Sequence, residues 1–359
     1  MSRYDIAVVG AGIAGASLAA ELAPHARVLV LEMEDQPGYH STGRSAAFWS
    51  ETYGGPYIQP LTTASGPLLG DFLEPLGSLH IARAHERAAI DAELAAFAAS
   101  GVTLELVDPR DRIPGLRDDW TTAIWEPSCA YIDVGGLHGS YLKAIRQAGG
   151  EIVTSAGLEA AHYDGGWQLQ TRAGAFEAGL LVSAAGAWAD PVAAMAGARP
   201  IGVQPYRRTM VQLRTDPAPP ADLPHVGHVT GSFYFKPEAG GRLWLSPHDE
   251  HATDPCDAQP EEIDVAIAID RLEQAVDWRV EKLEHKWAGL RSFAPDRRPV
   301  YGFDREIPSF FWCAGQGGFG IQTAPAAAKL AAALVLGRAP EASVAHIDAA
   351  RYAPGRFGE

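Results

Sequence analysis

The chain has 359 residues, a length that suggests about two domains, and its 47% hydrophobic and 20% charged residues are those of an ordinary globular protein. Lys and Arg number 29 against 44 Asp and Glu, for a net charge of -15 with His neutral. That balance argues against nucleic acid and against an anionic membrane surface as partners, and leaves open a locally basic pocket for a small molecule.

The first stretch, Asp5 to Glu32, reads as strand, glycine loop, helix and strand without interruption. Ile6 to Val9 is apolar, Gly10-Ala11-Gly12-Ile13-Ala14-Gly15 follows, Ala16 to Leu22 favours helix, and the apolar run Val28 to Leu31 stops at Glu32. This is the dinucleotide fingerprint in its full context. Gly10 serves a tight turn, Gly12 lets backbone approach a pyrophosphate, and Gly15 lets helix and strand pack closely. The helix N-terminus at Ile13 and Ala14 presents N–H groups to phosphate. Glu32, with Met33 behind it, stands about twenty residues on, where an acid accepts hydrogen bonds from ribose hydroxyls. A glycine loop that merely turned the chain would not explain the acid. The first strand begins within five residues, which leaves no room for a signal peptide, and no apolar run is long enough for a transmembrane segment, so a cytoplasmic location is expected.

Gly38 to Ala47, a small and polar run, stands where a further helix would be usual. Small residues such as Ala46 and Ala47 let the backbone lie against a flat ligand, while Ser41, Thr42, Arg44 and Ser45 offer bonds to its phosphate or ring edge. The plainer reading is a surface loop, but loops of this length inside compact domains are usually functional or disordered. Phe48, Trp49 and Tyr53 form an aromatic cluster, which on pattern alone is core.

Leu61 to Leu73 and Glu86 to Ala99 carry helical periodicity, and Val102 to Val107 is strand-like. Tyr131-Ile132-Asp133 leads through Gly135-Gly136 into a helix, Leu137 to Gln147. Ile152 to Thr154, Trp167 to Thr171 and Ala178 to Ser183 read as strands, the last running into Ala184-Ala185-Gly186-Ala187-Trp188 and a helix. From Val203 to Phe293 strands with polar connections dominate, including Tyr206 to Leu213 and a hairpin of Phe233 to Lys236 with Leu243 to Ser246. One helix, Glu261 to Val276, interrupts them behind Pro260. This middle predicts a mostly antiparallel sheet distinct from the nucleotide fold. Phe310 to Ala314 returns to an apolar strand, and Gly315-Gln316-Gly317-Gly318-Phe319-Gly320 leads to an Ala-rich helix, Pro325 to Leu336. That second glycine run fits GxGxxG by letter, yet no strand ending in an acid follows. It reads as a helix N-terminus aimed at something other than a second pyrophosphate, which argues against an NAD(P)H site beside the first dinucleotide. Cys129, Cys256 and Cys313 show no CxxC spacing, and neither a disulfide framework nor a metal site is expected.

Gly10 to Gly15 with Glu32, the Gly38 to Ala47 run, Ala184 to Trp188, Trp287-Ala288-Gly289-Leu290-Arg291-Ser292-Phe293, the spacing Asp296-x-x-Pro299-x-x-Gly302 and Gln316 to Thr323 together resemble the D-amino-acid oxidase family of FAD-dependent oxidoreductases, most closely its bacterial D-arginine dehydrogenases. The resemblance implies an α/β architecture: a Rossmann-like FAD-binding domain of the glutathione-reductase type, over 1–79, 135–207 and 292–359, and an α+β substrate domain with a mostly antiparallel sheet, over 80–134 and 208–291. It implies non-covalent FAD, because nothing matches the flavinylating cysteine position of the sarcosine-oxidase relatives and Cys313 reads as core. Leu158, Ala185, Gly186, Trp188, Gly317, Gly318, Gly320, Ile321, Gln322 and Thr323 would join the first loop in holding the cofactor.

By the same resemblance Arg208 and Arg291 hold a substrate α-carboxylate, a role suited to the permanent charge and forked donors of arginine. Tyr53 and Tyr234 close the site, and Gly318 and Gln322 face the flavin, with a helix N-terminus near Thr323 that favours its negative charge. Two departures bear on the substrate. Ser78 stands where the D-arginine dehydrogenases carry an acid for the basic side chain, with Glu51 and Glu74 as possible substitutes, and Phe48 replaces their histidine. The expected reaction is oxidative deamination of a D-amino acid with an uncharged or hydrophobic side chain, electrons leaving to oxygen or a quinone. Oxidation of a secondary amine, glycine or a 2-hydroxy acid is the alternative within the fold, and a flavin-binding subunit without catalysis is the alternative outside it.

Overall fold

The computed structural model describes residues 3–358. The strand Arg3–Val9 pairs in parallel with Val28–Leu31 on one side and Gly174–Ser183 on the other. Glu151–Val153 and Phe310–Ala314 extend the parallel ladder outward, one at each side. Val28–Leu31 and Phe310–Ala314 are buried at every residue, so they read as continuous apolar runs instead of alternating ones. Helices Ile13–Leu22 and Gly320–Val335 cover one face, setting Leu18, Leu22 and Leu330 against Val8, Val30 and Val182. Helix Ala189–Met195 covers the other, beside Leu29, Leu181 and Trp312. Antiparallel strands Trp167–Thr171 and Leu158–Tyr163 complete the sheet beyond Gly174–Ser183.

A second, ten-stranded sheet is antiparallel at every pairing but one, that of His225–His228 with Ser78–Arg83. Its spine is the pair Gln204–Asp216 and Arg279–Phe293, in register from Gln204 opposite Phe293 to Asp216 opposite Arg279. Side chains alternate across a sheet, and one face here carries Val211, Leu213, Leu245, Phe235, Val226 and Leu79 onto helix Glu262–Ala275. The other face therefore presents Arg208, Met210, Ser246, Tyr234, His225 and Ser78. Arg291 shares that face, since Tyr206 lies opposite it and Arg208 lies opposite Gly289. Gln316–Gly317 adds to the edge at Ser292 and Phe293, which sets the second glycine loop beside Arg291. A small sheet of Phe48–Trp49, Ala130–Ile132 and Leu73–Pro75 places Phe48.

Three element boundaries depart from the sequence reading. The last helix starts at Gly320, ahead of Pro325, because Thr323 donates both its N–H (3.1 Å) and its hydroxyl (2.8 Å) to the Phe319 carbonyl and so opens the helix there. The helix expected over Leu61 to Leu73 is Gln59–Leu69, cut by Gly70 at φ +50°. Strands Ser78–Arg83 and Trp120–Glu126, unread in the sequence, belong to the large antiparallel sheet. Among the described residues no helix is long and apolar enough to cross a membrane.

Candidate active site

The first glycine loop has the geometry its glycines require. Gly10 adopts φ +102°, and a Cβ there would lie 2.5 Å from the Ala184 carbonyl oxygen; at Gly15 it would lie 1.9 Å from that of Gly10. The helical ladder starts where Ala16 N–H meets Gly12 O at 2.9 Å, so the N–H groups before it are outside the ladder. Thr42 Oγ1 accepts that of Ile13 (2.9 Å) and Glu32 Oε2 that of Ala11 (2.8 Å), while Glu32 Oε1 accepts from Glu34 N–H (3.0 Å). Glu32 thus braces the loop as well as ending the strand. His138, kept neutral by burial, donates through Nε2 to the Ala11 carbonyl (2.8 Å), a brace no sequence pattern announced.

A cleft of about 340 Å³ opens over this loop. Of the expected cofactor residues it is lined by Gly10, Gly12, Ile13, Ala14, Glu32, Met33, Ser41, Thr42, Ser45, Leu158, Ala185, Gly186, Trp188, Gly317, Gly318, Gly320 and Ile321, and Arg291 lines it too. One continuous cradle therefore joins the pyrophosphate loop and its acid to the second glycine loop and an arginine. That arrangement fits a dinucleotide whose far end lies against Gly317 and Gly318.

Six expected cofactor residues stand outside the lining, each for a local reason. Gly15 is pressed on Gly10. Arg44 does not reach into the cleft: Nη1 donates to the Ala258 and Ala288 carbonyls (2.9 and 3.1 Å) and Nη2 pairs with Asp257, so it ties its loop to the antiparallel sheet. Ala46 packs with Met210 and Tyr234, and Ala47, at φ +32°, packs near Ile13 and Trp49. Thr323 caps its own helix. Gln322, 2% exposed, gives its amide N–H groups to the Tyr53 carbonyl and Thr62 Oγ1 (both 3.0 Å) and accepts from Ser50 N–H (3.3 Å). Its side chain is a strut for the 50–53 segment, which corrects the expectation that it faces the flavin.

Arg291 forms no hydrogen bond or ion pair among the described residues, and its buried Nε is unpartnered. Arg208, 3% exposed, is anchored by Nε to the Asp249 carbonyl (2.8 Å) and by Nη2 to Glu250 (3.1 Å), leaving buried Nη1 free. Both guanidiniums act on Tyr234: burial raises its pKa, and Arg291 then Arg208 oppose the rise. The Tyr53 hydroxyl lies on Gly318, where a Cβ would come within 2.3 Å of it. Phe48 completes the group, with ring centroids 5.3 Å from Tyr53, 6.0 Å from Tyr234 and 4.2 Å from His225. The two arginines, both tyrosines, Phe48 and Gly318 thus come together in the structure.

Four residues that the sequence reading missed complete the site. Glu126, fully buried, accepts from Ser50 Oγ (2.9 Å), Thr52 Oγ1 (2.6 Å) and Glu51 N–H (2.6 Å), holding the segment that carries Tyr53. His80, His225 and His248 line a second cleft of about 370 Å³ with Phe48, Tyr53 and Tyr234. His248 donates from Nδ1 to the Gly231 carbonyl, and burial, reinforced by Arg208 and Arg291, pushes its pKa down to about 3, so it is neutral. No motif spacing marks these side chains; Glu126, His80 and His225 share a sheet face, and His248 stands just beyond the strand Arg242–Ser246. Ser78 is fully buried and bonded to His225, while Glu51 is occupied by Thr63 (2.6 Å) and Ser128 (2.9 Å) and Glu74 is exposed on a strand away from the cleft. Neither acid substitutes for the one absent at Ser78. Cys313 is buried in its strand, its thiol raised to about 12 by burial. Asp249, His251 and Asp264 cluster nearby, but Thr209, Arg207 and the histidine itself occupy their oxygens.

A protein-family profile described as DAO, FAD dependent oxidoreductase, matches residues 5–334. The chain is 25% identical over 285 residues to the mitochondrial L-2-hydroxyglutarate dehydrogenase of Caenorhabditis elegans, covering 69% of this chain and 64% of that one, so it spans under two thirds of that relative's length. It is 25% identical over 364 residues to the glycine oxidase of Geobacillus kaustophilus, 93% of both chains. The crystal structure of a glycine oxidase from the same organism superposes with a TM-score of 0.84 over 99% of each chain, at 24% identity. That of L-proline dehydrogenase from P. horikoshii superposes with 0.85, over 99% of this chain and 98% of the other, at 20% identity. At those identities the two structures speak to the fold.

Proposed function

The chain belongs to the DAO family of FAD-dependent oxidoreductases, and from that premise we propose that it oxidises a 2-amino acid of D configuration at Cα, giving an imino acid that water hydrolyses to a 2-oxo acid and ammonia. The observation that carries this reading is the open guanidinium of Arg291, set beside the anchored Arg208 where the dinucleotide cleft meets the aromatic pocket. Two fixed positive charges with free donors at that junction suit a carboxylate, and a bidentate pair fixes orientation as well as affinity. The D configuration rests on the likeness of the Gly38 to Ala47 run to the D-arginine dehydrogenases.

Bound FAD supplies the two-electron acceptor for the hydride from Cα. Arg291 and Arg208 Nη1 hold the carboxylate, turning the Cα–H toward the Gly317–Gly318 side of the cleft. Tyr53 and Phe48 close over the substrate and exclude water. An amino acid arrives as an ammonium and must lose a proton before its lone pair can assist hydride loss. His248 Nε2, whose Nδ1 proton is given to Gly231, is a neutral acceptor beside the arginines; burial chiefly holds its basicity down, and a bound carboxylate would cancel only the smaller contribution of Arg208 and Arg291. Among the described residues Glu51 is bonded to Thr63 and Ser128, Glu74 lies away from the cleft, and Glu93, which lines it, is bonded to His80, which favours uncharged side chains.

A 2-hydroxy acid is the second reading, favoured by the similarity to an L-2-hydroxyglutarate dehydrogenase. The same clamp serves its carboxylate, and His248 would take the hydroxyl proton. Anaerobic bleaching of the flavin by a panel of D- and L-amino acids and 2-hydroxy acids decides between the two, and later admission of air shows whether oxygen reoxidises it. Bleaching by 2-hydroxy acids alone refutes the first reading.

A further inference from the structure

His225 stands 5% exposed on the strand His225–His228, in parallel register with Ser78, and lines the aromatic cleft beyond Tyr234. Its Nδ1 lies 2.9 Å from Ser78 Oγ, and its Nε2 is buried with no partner. Each tautomer leaves one proton of the His225–Ser78 pair without a partner, and the surroundings of that proton decide between them. Ser78 is fully buried, and the imidazole is its hydroxyl's partner among the described residues. Were Nδ1 protonated it would donate to Oγ and strand the hydroxyl proton. With the hydroxyl donating to Nδ1 instead, the unplaced proton is the one on Nε2, on a ring that lines the cleft where a ligand can accept it, whereas Ser78 does not line it. The ring is neutral: burial drives its pKa well below 6.5, with His80 and Lys236 pushing the same way. What it offers the cleft is one uncharged N–H donor.

The surroundings of that donor define what it can take. Phe48 lies 4.2 Å away at 38° and Tyr234 5.5 Å away at 34°, the two 6.0 Å from each other, so the imidazole packs beside a pair of tilted aromatic rings that suit an aliphatic or planar side chain. Farther along, His80 is bonded to Glu93 at 2.5 Å, and although burial lowers the His80 pKa, Glu93 and Glu126 together raise it above its ordinary value. Both line the cleft, so the carboxylate and the imidazole found there are already each other's partners. A second carboxylate on the substrate would find no uncompensated cation there. A guanidinium or ammonium would find no free carboxylate and would meet a donor with donors.

We propose that His225 Nε2 is the distal recognition donor of this site, selecting substrates whose side chain ends in an uncharged hydrogen-bond acceptor, the carboxamide of glutamine or asparagine being the amino-acid form. Ser78 is the positioning residue, holding the proton on Nε2. The inference rests on the reading of the cleft as the seat of a 2-substituted carboxylate's side chain, whichever group Cα bears.

The experiment is a side-chain series measured by anaerobic flavin reduction with the purified holoenzyme. D- and L-glutamine are compared with the isosteric 2-amino-5-methylhexanoic acid, with glutamate and with arginine, and the same side chains are run as 2-hydroxy acids. Kcat/KM for the carboxamide should exceed that of its methyl isostere by about tenfold to a hundredfold, the worth of one buried hydrogen bond. In His225→Phe that ratio should fall toward 1. In Ser78→Ala, whose visible flavin spectrum reports an intact fold, it should fall part of the way. An isostere, glutamate or arginine preferred to the carboxamide overturns the proposal, as does a ratio that survives His225→Phe. If 2-hydroxy acids alone bleach the flavin, the amine reading fails while the ratio still tests His225; if neither class does, both fall.

Discussion

Gly318 gives the sharpest test of how the two clefts communicate. A Cβ there would sit 2.3 Å from the Tyr53 hydroxyl, whereas ordinary contact begins at 3.4 Å, so Gly318→Ala requires the two to part by about 1.1 Å. The backbone at Gly318 is not in the left-handed region, so alanine is admissible there and strain falls on the contact alone. Tyr53 cannot yield freely: Gln322 holds its carbonyl, Ser50 Oγ accepts its N–H (3.3 Å), and its ring packs on Phe319 at 5.1 Å. Overpacking of this kind costs about 1–3 kcal/mol in stability. A displacement of about an ångström at a reacting centre costs up to about a hundredfold in rate. Gly318→Ala should therefore keep its flavin and melt as one transition, yet reduce that flavin tenfold to a hundredfold more slowly at saturating substrate. Gly318→Ala with Tyr53→Phe removes the colliding oxygen and should regain part of the loss, a coupling that a double-mutant cycle reads directly. Wild-type reduction kinetics in Gly318→Ala would refute the placement of Tyr53 against the reacting centre.

Arg291→Met should raise KM by at least about thirtyfold, the equivalent of about 2 kcal/mol for a charged hydrogen-bonded pair; an unchanged KM in steady-state assays would remove the clamp. Glu126→Ala leaves the Glu51 N–H and one of the Ser50 and Thr52 hydroxyls, which can still bond each other (3.2 Å), without an acceptor, and should cost about 2 kcal/mol or more in urea unfolding, with KM rising as the segment carrying Tyr53 loosens. His248 is held at about 3 when folded, against 6.5 when free. Between those values the unfolded chain binds the proton and the folded chain does not, so this contribution is present above about pH 6.5 and lost as pH falls toward 3. Asparagine tolerates the φ of +55° at this position, so His248→Asn should fold, and its stability should fall less steeply than the wild type's between pH 6.5 and 4.

The nucleotide half of the fold was legible because its signals are local. Turn sterics demand glycine at 10 and 15, a doubly covered strand demands an apolar run, and an acid at the strand's end has few other reasons to be there. The pairing of Arg208 with Arg291 as a proposed carboxylate clamp came from resemblance alone, since they stand 83 positions apart in sequence and meet through sheet register. His225, His248 and Glu126 left no signal at all: each is a single polar residue in or beside a strand, and burial turns it into a site component only after three segments converge. Arg44 and Gln322 were misread for a shared reason. A long polar side chain near a ligand loop can reach the ligand or brace the loop, and its residue type does not tell which. Both here have carbonyl acceptors within reach, and both brace.

The arginine pair is divided in a way that says how the site is completed. Arg208 is tied down on two of its nitrogens, whereas Arg291 has no partner among the described residues although its Nε is buried. A partly desolvated cation without a counter-ion is unfavourable, and a chain with 44 acids and a net charge of -15 has ample means to supply one. A ligand carboxylate would remove that penalty while satisfying Arg208 Nη1 in the same step. Binding of a carboxylate to the folded state alone should then stabilise the oxidised holoenzyme by about 2.7 kcal/mol at a hundred times its dissociation constant, several degrees or less in melting temperature for a chain of this size. A non-reactive 2-substituted carboxylate should give that rise, and the matching primary carboxamide, without the charge, should give little. Equal shifts from the two would mean that the open guanidinium is not what the substrate completes.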